Sequence, residues 1–205
     1  KKVFYRLVQK PVVRRSPLVV TVSEYSKQDI VDFYGISPEK VLVLGNGVDP
    51  TVFNSNQPVP QSERPYIICV SNAKPHKNLL RLVKAMQRVG QEAPWDLILV
   101  CKPTKELESE IAAAGLVKRV QFRSQIDDSE LANLYRSARL LVLPSLFEGF
   151  GIPVVEAMAC GCPVLCSNKT ALPEVVGDAG ILFDPNAPDE LESLLRAAYR
   201  NELPL

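Results

Sequence analysis

Short runs of consecutive apolar residues alternate along this chain with longer stretches in which apolar positions recur every three or four residues. The runs are typical of strands buried on both faces, and the longer stretches are typical of amphipathic helices. From residue 66 onward the predicted strands are 66–70, 96–101, 119–122, 139–143, 163–166 and 180–183. The predicted helices are 78–89, 104–114, 129–138, 153–160 and 187–200. Strands that alternate with helices indicate right-handed crossovers, so we predict an α/β fold with a doubly wound, Rossmann-like parallel sheet.

The first quarter of the chain has the same pattern on a smaller scale. Predicted strands at 18–22 and 41–44 flank a helix that Ser23 or Ser26 can cap and that Gly35 can end. Residues 50–65 contain four prolines together with Ser, Asn and Gln, which is the composition of a linker. We therefore predict a first segment at 1–49, a linker at 50–65 and a domain at 66–205.

Composition and charge exclude several classes of protein. The 205 residues are 46% hydrophobic and 23% charged, with a net charge of +1, so we predict a globular protein with no nucleic-acid partner. No apolar run approaches the roughly 20 residues of a membrane span. No long apolar segment follows Lys1 as it would in a signal peptide, so we expect a cytoplasmic protein.

The cysteines are predicted to be structural. Their number is five, and the odd count favours free thiols in a reducing compartment. Cys160, Cys162 and Cys166 are close in sequence, but their spacing is not that of a zinc site and the single histidine, His76, is distant. We predict buried thiols that pack as small hydrophobes and no metal site.

The N-terminal segment 1–15 contains six basic residues and no acidic one. With Val3, Phe4, Leu7 and Val8 it fits an amphipathic helix that contacts an anionic membrane surface, which would make the protein peripheral to a membrane. It also fits the solvated face of a helix within a domain, which is the more usual role of such a charge pattern. Both interpretations remain open at this point.

The loop after the predicted strand 139–143 is the strongest candidate for a ligand site. In parallel sheets, ligands bind beyond the carboxyl ends of the strands. Gly149 and Gly151 allow the backbone to approach a ligand closely, and Pro153 lies near the first position of the next helix. The N–H groups and the dipole of that helix start favour an anion, so we predict that a phosphate or diphosphate binds there.

Two glutamates, Glu148 and Glu156, flank this glycine-containing turn. A carboxylate beside a phosphate is repelled, so accepting hydrogen bonds from sugar hydroxyls is the role that fits both residues. The alternative is that they are ordinary polar residues at a helix start, where carboxylates are favoured in any case.

A second candidate loop, 71–78, follows the strand 66–70 and contains Lys74 and Lys77. A lysine at a helix start on this edge can neutralise a phosphate, whereas a lone lysine is more often a solvated surface residue. Two loops that favour anions on one edge of the sheet support the first interpretation.

Other nucleotide and hydrolase motifs are absent or incomplete. Val154 stands where the third glycine of a dinucleotide-binding G-x-G-x-x-G would stand after Gly149 and Gly151. The sequence contains no G-x-x-x-x-G-K-[ST] phosphate loop and no G-x-S-x-G nucleophile elbow.

Three stretches of the chain resemble the retaining glycosyltransferases of family 4, which have the GT-B fold of two Rossmann-like domains. Residues 20–49 resemble the end of the acceptor domain and the crossover that follows it. Residues 66–85, which contain "AKPHKN", resemble the first strand and phosphate-binding entrance of the donor domain. Residues 143–185, which contain "EGFGIPVVE", are similar to the family's E-x7-E motif in its usual setting. The resemblance therefore implies a donor domain at 66–205 and the last β-α-β unit of the acceptor domain at 1–49.

The resemblance also implies a role for each matching position. Lys77 corresponds to the lysine that holds the donor diphosphate, and Glu148 to the glutamate that faces the donor sugar; we take these two as catalytic. The resemblance implies that the other candidates bind substrate: Gly149, Phe150 and Gly151 by backbone contacts, Glu156 on the ribose, and Ser124 and Ile126 at the base. Many family members have an arginine where Ser71 and Asn72 stand here. We therefore add Asn72 and Lys74 as candidates, since Lys74 or His76 can replace that charge.

The implied reaction is transfer of a sugar from a nucleotide diphosphate sugar, with retention of configuration and no metal cofactor. "KPHKN" is similar to the motif of polysaccharide mannosyl- and rhamnosyltransferases, which favours GDP-mannose as the donor and a glycan or lipid-linked acceptor. Most of the acceptor domain is missing, so we expect this chain to be inactive alone. The alternatives are a non-catalytic nucleotide-sugar-binding module and another GT-B enzyme, such as a nucleotide-sugar epimerase.

Overall fold

The computed structural model describes residues 5–204, without the side chains of Arg6 and Pro188. The chain divides into two compact units, Lys1–Gly47 and Val48–Leu205.

The first unit contains a β-α-β arrangement. Strand β1 (Val19–Thr21) pairs in parallel with β2 (Val41–Val43), with Val19 opposite Val41. Helix α2 (Glu24–Tyr34) connects them. The Ser23 hydroxyl caps this helix by accepting a hydrogen bond from the Ser26 N–H, and Gly35 ends it in a left-handed conformation. Ser23, one of the two predicted caps, is thus the one used, and a single 3₁₀ turn (Pro38–Lys40) precedes β2.

The N-terminal segment consists of a π-helical turn (Tyr5–Gln9) and helix α1 (Lys10–Arg15). Leu7, Val8 and Val12 are exposed. Residues 1–4 of the basic segment 1–15, which include Val3 and Phe4, lie outside the described part of the chain. Contact with a membrane surface and a solvated helix face therefore both stay predictions. Within residues 5–204, no helix has the length and hydropathy that would let it cross a membrane.

The second unit is built on a six-stranded sheet in which every pairing is parallel. Its strands are β3 (Tyr66–Val70), β4 (Asp96–Val100), β5 (Val120–Arg123), β6 (Leu140–Leu143), β7 (Val164–Ser167) and β8 (Ile181–Phe183). Their order in space is β5-β4-β3-β6-β7-β8. The chain therefore starts in the middle of the sheet, proceeds to one edge, and returns to the middle at β6 before proceeding to the other edge.

Six helices follow the strands of this unit. They are α3 (Leu79–Val89), α4 (Lys105–Ala113), α5 (Asp128–Ser137), α6 (Ile152–Ala159), α7 (Leu172–Val176) and α8 (Pro188–Tyr199). Side chains cap two of them: Thr104 accepts from the N–H of Leu107, and Asp127 accepts from the N–H of Glu130. Gly90 follows α3 directly, and Gly115 and Gly161 follow α4 and α6 after one further residue; all three have a positive φ, as the predicted glycine stops require.

Two apolar layers cover the sheet. On one face, residues of α3, α4 and α8 such as Leu82, Ile111 and Leu195 are buried. On the other face, Tyr135 of α5 and Val154 of α6 are buried, together with residues of α7. Strands β6 and β7 are buried along their whole length, as strands covered on both faces should be. The predicted doubly wound parallel sheet is thus confirmed.

Three local features differ from the sequence-based expectation. Helix α7 was not predicted, because five residues are too few to show a helical period. Helix α3 begins at Leu79 rather than Asn78, since Asn78 has a left-handed backbone (φ 57°) after a 3₁₀ turn at Pro75–Lys77. The segment predicted as a linker, 50–65, lies in the second unit, and Phe53 within it is buried in the core layer of α5 and α6.

Candidate functional site

The candidate site lies where β3 and β6 meet in the middle of the sheet. The chain leaves β3 toward one edge and leaves β6 toward the other, so the carboxyl ends of these two strands form the switch point at which parallel sheets of this kind have their ligand crevice. These loops are 71–78 after β3 and 144–151 after β6. They are the two loops in which the sequence predicted anion-binding and sugar-binding residues.

Backbone and side-chain hydrogen bonds hold the two loops together. The N–H of Leu146 donates to the carbonyl of His76 at 2.7 Å. The side-chain amide of Asn78 donates to the carbonyl of Pro144 at 3.1 Å, which the left-handed backbone of Asn78 allows. The 3₁₀ turn Pro75–Lys77 brings Lys77 to this edge of the sheet, facing the loop after β6.

Lys77 and Glu148 form an ion pair across the crevice. The Lys77 ammonium lies 2.7 Å from Oε1 and 2.8 Å from Oε2 of Glu148. Their side chains are only 15% and 11% exposed, so water screens the pair weakly. The two residues predicted to be catalytic are therefore in direct contact, although 71 positions separate them in sequence.

The last residue of β7 and the loop that follows it position the backbone of residues 145–148. The N–H of Glu148 donates to the hydroxyl of Thr170 at 2.9 Å, and the Ser167 hydroxyl donates to the carbonyl of Ser145 at 2.6 Å. Thr170 has a left-handed backbone with φ of 57°, which is strained for a β-branched residue. Sequence reasoning missed Thr170, because no local signal distinguishes it from an ordinary loop threonine.

The turn Gly149–Gly151 leads from the ion pair into α6. Gly151 has φ of 112°, and a Cβ placed there would lie 2.7 Å from a methyl carbon of Leu172 in α7. Glycine is thus required at this position by both backbone conformation and space. Helix α6 starts here without a side-chain cap and with Pro153 in its first turn, so the positive end of its dipole lies beside the crevice.

Glu156 lies further along α6 and is half-buried. The hydroxyl of Tyr135, on α5, donates to its Oε2 at 2.8 Å. Burial raises the pKa of the Glu156 carboxyl above its ordinary value, while the hydrogen bond from Tyr135 opposes that rise. Sequence reasoning missed Tyr135, because its position on the apolar face of α5 indicates only a core residue.

The loop after β5 contributes a separate cavity of about 230 Å³. Ser124 and Ile126 line it, as do Lys102 and Arg123 and, on α5, Leu131. Gln125 between them has a left-handed backbone with φ of 60°. The predicted base-contacting residues therefore border one concave surface.

The candidates Asn72 and Lys74 are exposed on the loop after β3. The Asn72 side chain accepts a hydrogen bond from the N–H of Lys74, and so stabilises the turn itself. Lys74 lines a different cavity, about 220 Å³ in volume, with Thr104 and Leu107. A role for either residue in holding a phosphate stays a prediction.

All five cysteines are buried, as their predicted packing role requires. Burial raises the pKa of Cys162 and of Cys166 to about 12, so these thiols stay protonated and inert. Among residues 5–204, no group of three or more His, Cys, Asp or Glu side chains is arranged to hold a metal ion.

Comparisons with known proteins relate both units to one class of enzymes. Residues 52–205 match the family model described as Glycosyl transferases group 1, and residues 1–52 match that of Glycosyltransferase Family 4. The MMP alpha-(1->4)-mannosyltransferase of Mycolicibacterium hassiacum is 40% identical over 194 residues, which are 92% of this chain and 46% of that protein. The O-antigen chain mannosyltransferase B of Escherichia coli is 33% identical over 199 residues, or 90% of this chain and 52% of that protein.

Solved structures share the fold. The Anabaena protein HepE, crystallised in complex with UDP and glucose, superposes with a TM-score of 0.81 at 25% identity over 96% of this chain and 57% of its own. A glycosyltransferase from Rickettsia africae superposes with a TM-score of 0.82 at 21% identity, over 97% of this chain and 56% of its own. This chain spans about half the length of the curated relatives that it matches.

Proposed function

Because this chain belongs to the group 1 glycosyltransferases, we propose that its crevice between β3 and β6 binds a nucleotide diphosphate sugar, and that a longer protein containing it transfers the sugar with retention of configuration. The main observation in support of this proposal is the contact between Lys77 and Glu148 at the carboxyl edge of the sheet, beside the start of α6. That contact combines a cation for the phosphates with a carboxylate for the sugar.

The diphosphate binds between Lys77 and the start of α6. Lysine supplies one full positive charge, and the helix dipole supplies a partial one at the uncapped Gly151 end. During transfer the bond between the anomeric carbon and the diphosphate oxygen breaks, and negative charge develops on that oxygen. The acceptor oxygen bonds to the anomeric carbon, and its proton passes to the departing diphosphate. Positive charge fixed beforehand at the diphosphate stabilises this transition state.

The donor sugar lies against Glu148 and the turn Gly149–Gly151. Carboxylate oxygens accept hydrogen bonds from hydroxyls, and a turn without bulky side chains at its two glycines lets the sugar approach the backbone. On donor binding, Lys77 exchanges part of its contact with Glu148 for the diphosphate, because the ammonium has three donors to share.

The nucleoside extends from Glu156 to the cavity after β5. Glu156 accepts from the ribose hydroxyls, while Ser124 and Ile126 border the base. Lys102 and Arg123 line the same cavity, and these two cations match the O6 and N7 acceptors of guanine. Together with the names of the two mannosyltransferase relatives, this favours GDP-mannose as the donor. We expect the reaction to need no metal, because Lys77 and α6 already supply positive charge to the diphosphate.

The acceptor is a glycan or a lipid-linked sugar, and it binds to parts of the longer protein beyond this chain. Residues 1–52 match a Glycosyltransferase Family 4 model, which supports assigning the first unit to the acceptor domain. In this proposal the protein acts in the cytoplasm, in peripheral contact with the membrane where polysaccharide precursors are assembled.

Nucleotide binding to this chain tests the donor site. Titration of GDP, UDP and ADP into the ¹⁵N-labelled chain without metal should show that one of them binds and shifts the amides of residues 71–78 and 149–156. Lys77→Ala should weaken that binding about tenfold or more, as expected for a lost charge-assisted contact. Lys84→Ala is the matched control, since Lys84 lies on α3 in an exposed ion pair with Glu110.

Two results contradict the proposal: no nucleotide binds to the wild-type chain, or Lys77→Ala and Lys84→Ala bind equally well. A longer protein that binds GDP-mannose but neither transfers nor hydrolyses it would instead be the non-catalytic binding module. Conversion of the donor to an epimeric sugar, identified by product analysis, would assign the epimerase.

A further inference from the structure

The hydrogen bond between Tyr135 and Glu156 links an interior side chain to the proposed ribose site. It joins α5 to α6, with 2.8 Å between the Tyr135 hydroxyl and Oε2 of Glu156. The Tyr135 side chain has no exposed surface, whereas Glu156 is only half-buried. A fixed group inside the core therefore holds a carboxylate that is accessible to a ligand.

Packing fixes the position of the Tyr135 hydroxyl. The ring lies against that of Phe53, with 6.4 Å between the ring centroids, in the core layer that also contains Val154 of α6. Because the ring is closely surrounded, the hydroxyl has little freedom and holds the Glu156 side chain in one rotamer. A carboxylate that is fixed in advance loses less conformational entropy when a ligand binds.

The hydroxyl of Tyr135 keeps its proton under physiological conditions. Burial raises the pKa of Tyr135 well above its ordinary value, and the negative charge of Glu156 raises it further. At neutral pH the phenol is therefore the donor and the ionised carboxylate the acceptor. Because Oε2 accepts from Tyr135, Oε1 is left to accept from a ligand.

Helix α5 also borders the cavity proposed for the base. Leu131, one turn before Tyr135, lines that cavity. One helix thus contacts the base cavity and holds Glu156, and a ribose must lie between a base and its diphosphate. This places the carboxylate where a ribose hydroxyl of the bound nucleotide is expected.

Resting on the proposed function, we propose that Tyr135 is a positioning residue for nucleotide recognition. Its hydroxyl fixes the Glu156 carboxylate so that Oε1 accepts the ribose 2′-hydroxyl, and this contact selects ribonucleotides over 2′-deoxyribonucleotides. Tyr135 itself does not contact the substrate.

The test compares the dissociation constants of a nucleoside diphosphate and its 2′-deoxy counterpart, using whichever of GDP, UDP and ADP binds the wild-type chain. We expect the wild type to prefer the ribonucleotide about tenfold or more, the effect of one hydrogen bond to a charged acceptor. In Tyr135→Phe the preference should fall to about threefold or less, while the affinity for pyrophosphate stays unchanged.

The matched control is Tyr66→Phe. Tyr66 is also buried, and its hydroxyl donates at 2.8 Å to the carbonyl of Leu134, also on α5, but not to Glu156. This variant should retain the wild-type preference for ribose. Equal loss in both variants would indicate a general loosening of α5 and would overturn the inference.

The remaining outcomes are distinct. A Tyr135→Phe variant that keeps the full preference overturns the inference but leaves the proposed function intact. A wild-type chain that binds no nucleotide overturns both. If Tyr135→Phe does not fold, an NMR measurement on the wild-type chain labelled at tyrosine ¹³Cζ tests the same inference. The Tyr135 resonance should shift when the ribonucleotide binds and should not shift with pyrophosphate. A resonance that does not shift with the ribonucleotide overturns the inference.

Discussion

The ammonium of Lys77 bridges both carboxylate oxygens of Glu148, at 2.7 and 2.8 Å, in a crevice where neither side chain is more than 15% exposed. The pair gives the site a balanced charge before any ligand binds. A diphosphate must therefore compete with Glu148 for Lys77, and Glu148 repels the phosphates once they are bound.

This competition leads to a prediction for Glu148→Gln. The substitution removes the competing charge but keeps the size of the side chain, so a nucleoside diphosphate should bind about three- to tenfold more tightly. Sugar transfer by the longer protein should fall on the order of 100-fold, as for loss of one transition-state contact. Calorimetry and a transfer assay measure the two effects, with the exposed Glu108→Gln as control. Weaker binding by Glu148→Gln would show that Lys77 and Glu148 do not compete.

The raised pKa of Glu156 predicts how nucleotide binding depends on pH. Burial is the main cause, the negative charge of Asp128 adds to it, and the Tyr135 hydrogen bond opposes it; Cys160 also lies close enough to interact. As the pH falls, the carboxylate should protonate above the ordinary value of 4.5 and stop accepting ribose hydroxyls as strongly. The affinity for a nucleoside diphosphate, divided by that for pyrophosphate at each pH, isolates this effect from phosphate titration. A ratio that stays constant across the acidic range would contradict it.

The raised pKa of Glu156 also predicts how the stability of the fold depends on pH. A carboxyl whose pKa is raised on folding contributes stability that is fully present below its unfolded pKa and is lost as the pH rises through its folded pKa. Ionised Glu156 therefore costs stability at neutral pH. Glu156→Gln keeps an acceptor for Tyr135 without the charge, so its melting temperature at pH 7 should exceed that of the wild type by a few degrees. The difference should shrink near pH 4, and a variant that melts below the wild type at pH 7 would be inconsistent with this account.

Gly151 should be intolerant of a side chain. Gly151→Ala combines a strained backbone with a Cβ only 2.7 Å from Leu172, and we expect it to lower the free energy of unfolding by about 2–5 kcal/mol. Gly115→Ala separates the two causes, because Gly115 also has a positive φ (71°) at the end of α4 but a Cβ there would meet no described atom within 4 Å. That control should lose only about 1–2 kcal/mol in urea unfolding. If both variants lost the same free energy of unfolding, the close approach of the Cβ to Leu172 would not contribute to the destabilisation.

A buried ion pair outside the site fixes α8 to α3. Glu192 is 2% exposed and accepts two hydrogen bonds from the Arg81 guanidinium, at 2.9 and 2.8 Å. Glu192→Ala leaves that guanidinium without its carboxylate and should cost about 3–5 kcal/mol of unfolding free energy. Glu92→Ala removes the largely exposed partner of Arg196 and should cost less than about 1 kcal/mol. Similar losses of unfolding free energy in Glu192→Ala and Glu92→Ala would show that burial does not determine how strongly these ion pairs stabilise the fold.

The sequence predicted the sheet well, because strands such as Tyr66–Val70 are apolar throughout and are separated by amphipathic helices with recognisable ends. It also predicted that the loops 71–78 and 144–151 lie on one edge of the sheet, since the carboxyl ends of parallel strands share that edge. The contact between Lys77 and Glu148 could not be predicted, because it depends on the 3₁₀ turn before Asn78 and on side-chain rotamers.

Tyr135 and Thr170 show a second limit of the sequence. Each acts on a candidate residue through one hydroxyl, and the rest of each side chain follows the ordinary pattern of its surroundings. Tyr135 fits the apolar face of α5, and Thr170 fits a polar loop. A hydrogen bond between elements that are distant in sequence leaves no local periodicity, so only the folded arrangement reveals it.

The pairing of β3 with β6 has a consequence for the motions of the native state. Only two residue pairs define its register, Ile67 with Leu140 and Ile68 with Leu141, whereas five define that of β3 with β4. This pairing joins the two halves of the sheet, and the crevice lies at the carboxyl end of the two strands. The amides along it should therefore exchange with deuterium before those of the neighbouring ladder. A nucleotide diphosphate sugar that contacts Lys77, after β3, and Glu156, after β6, would stabilise the pairing of these two strands. It would therefore slow that exchange.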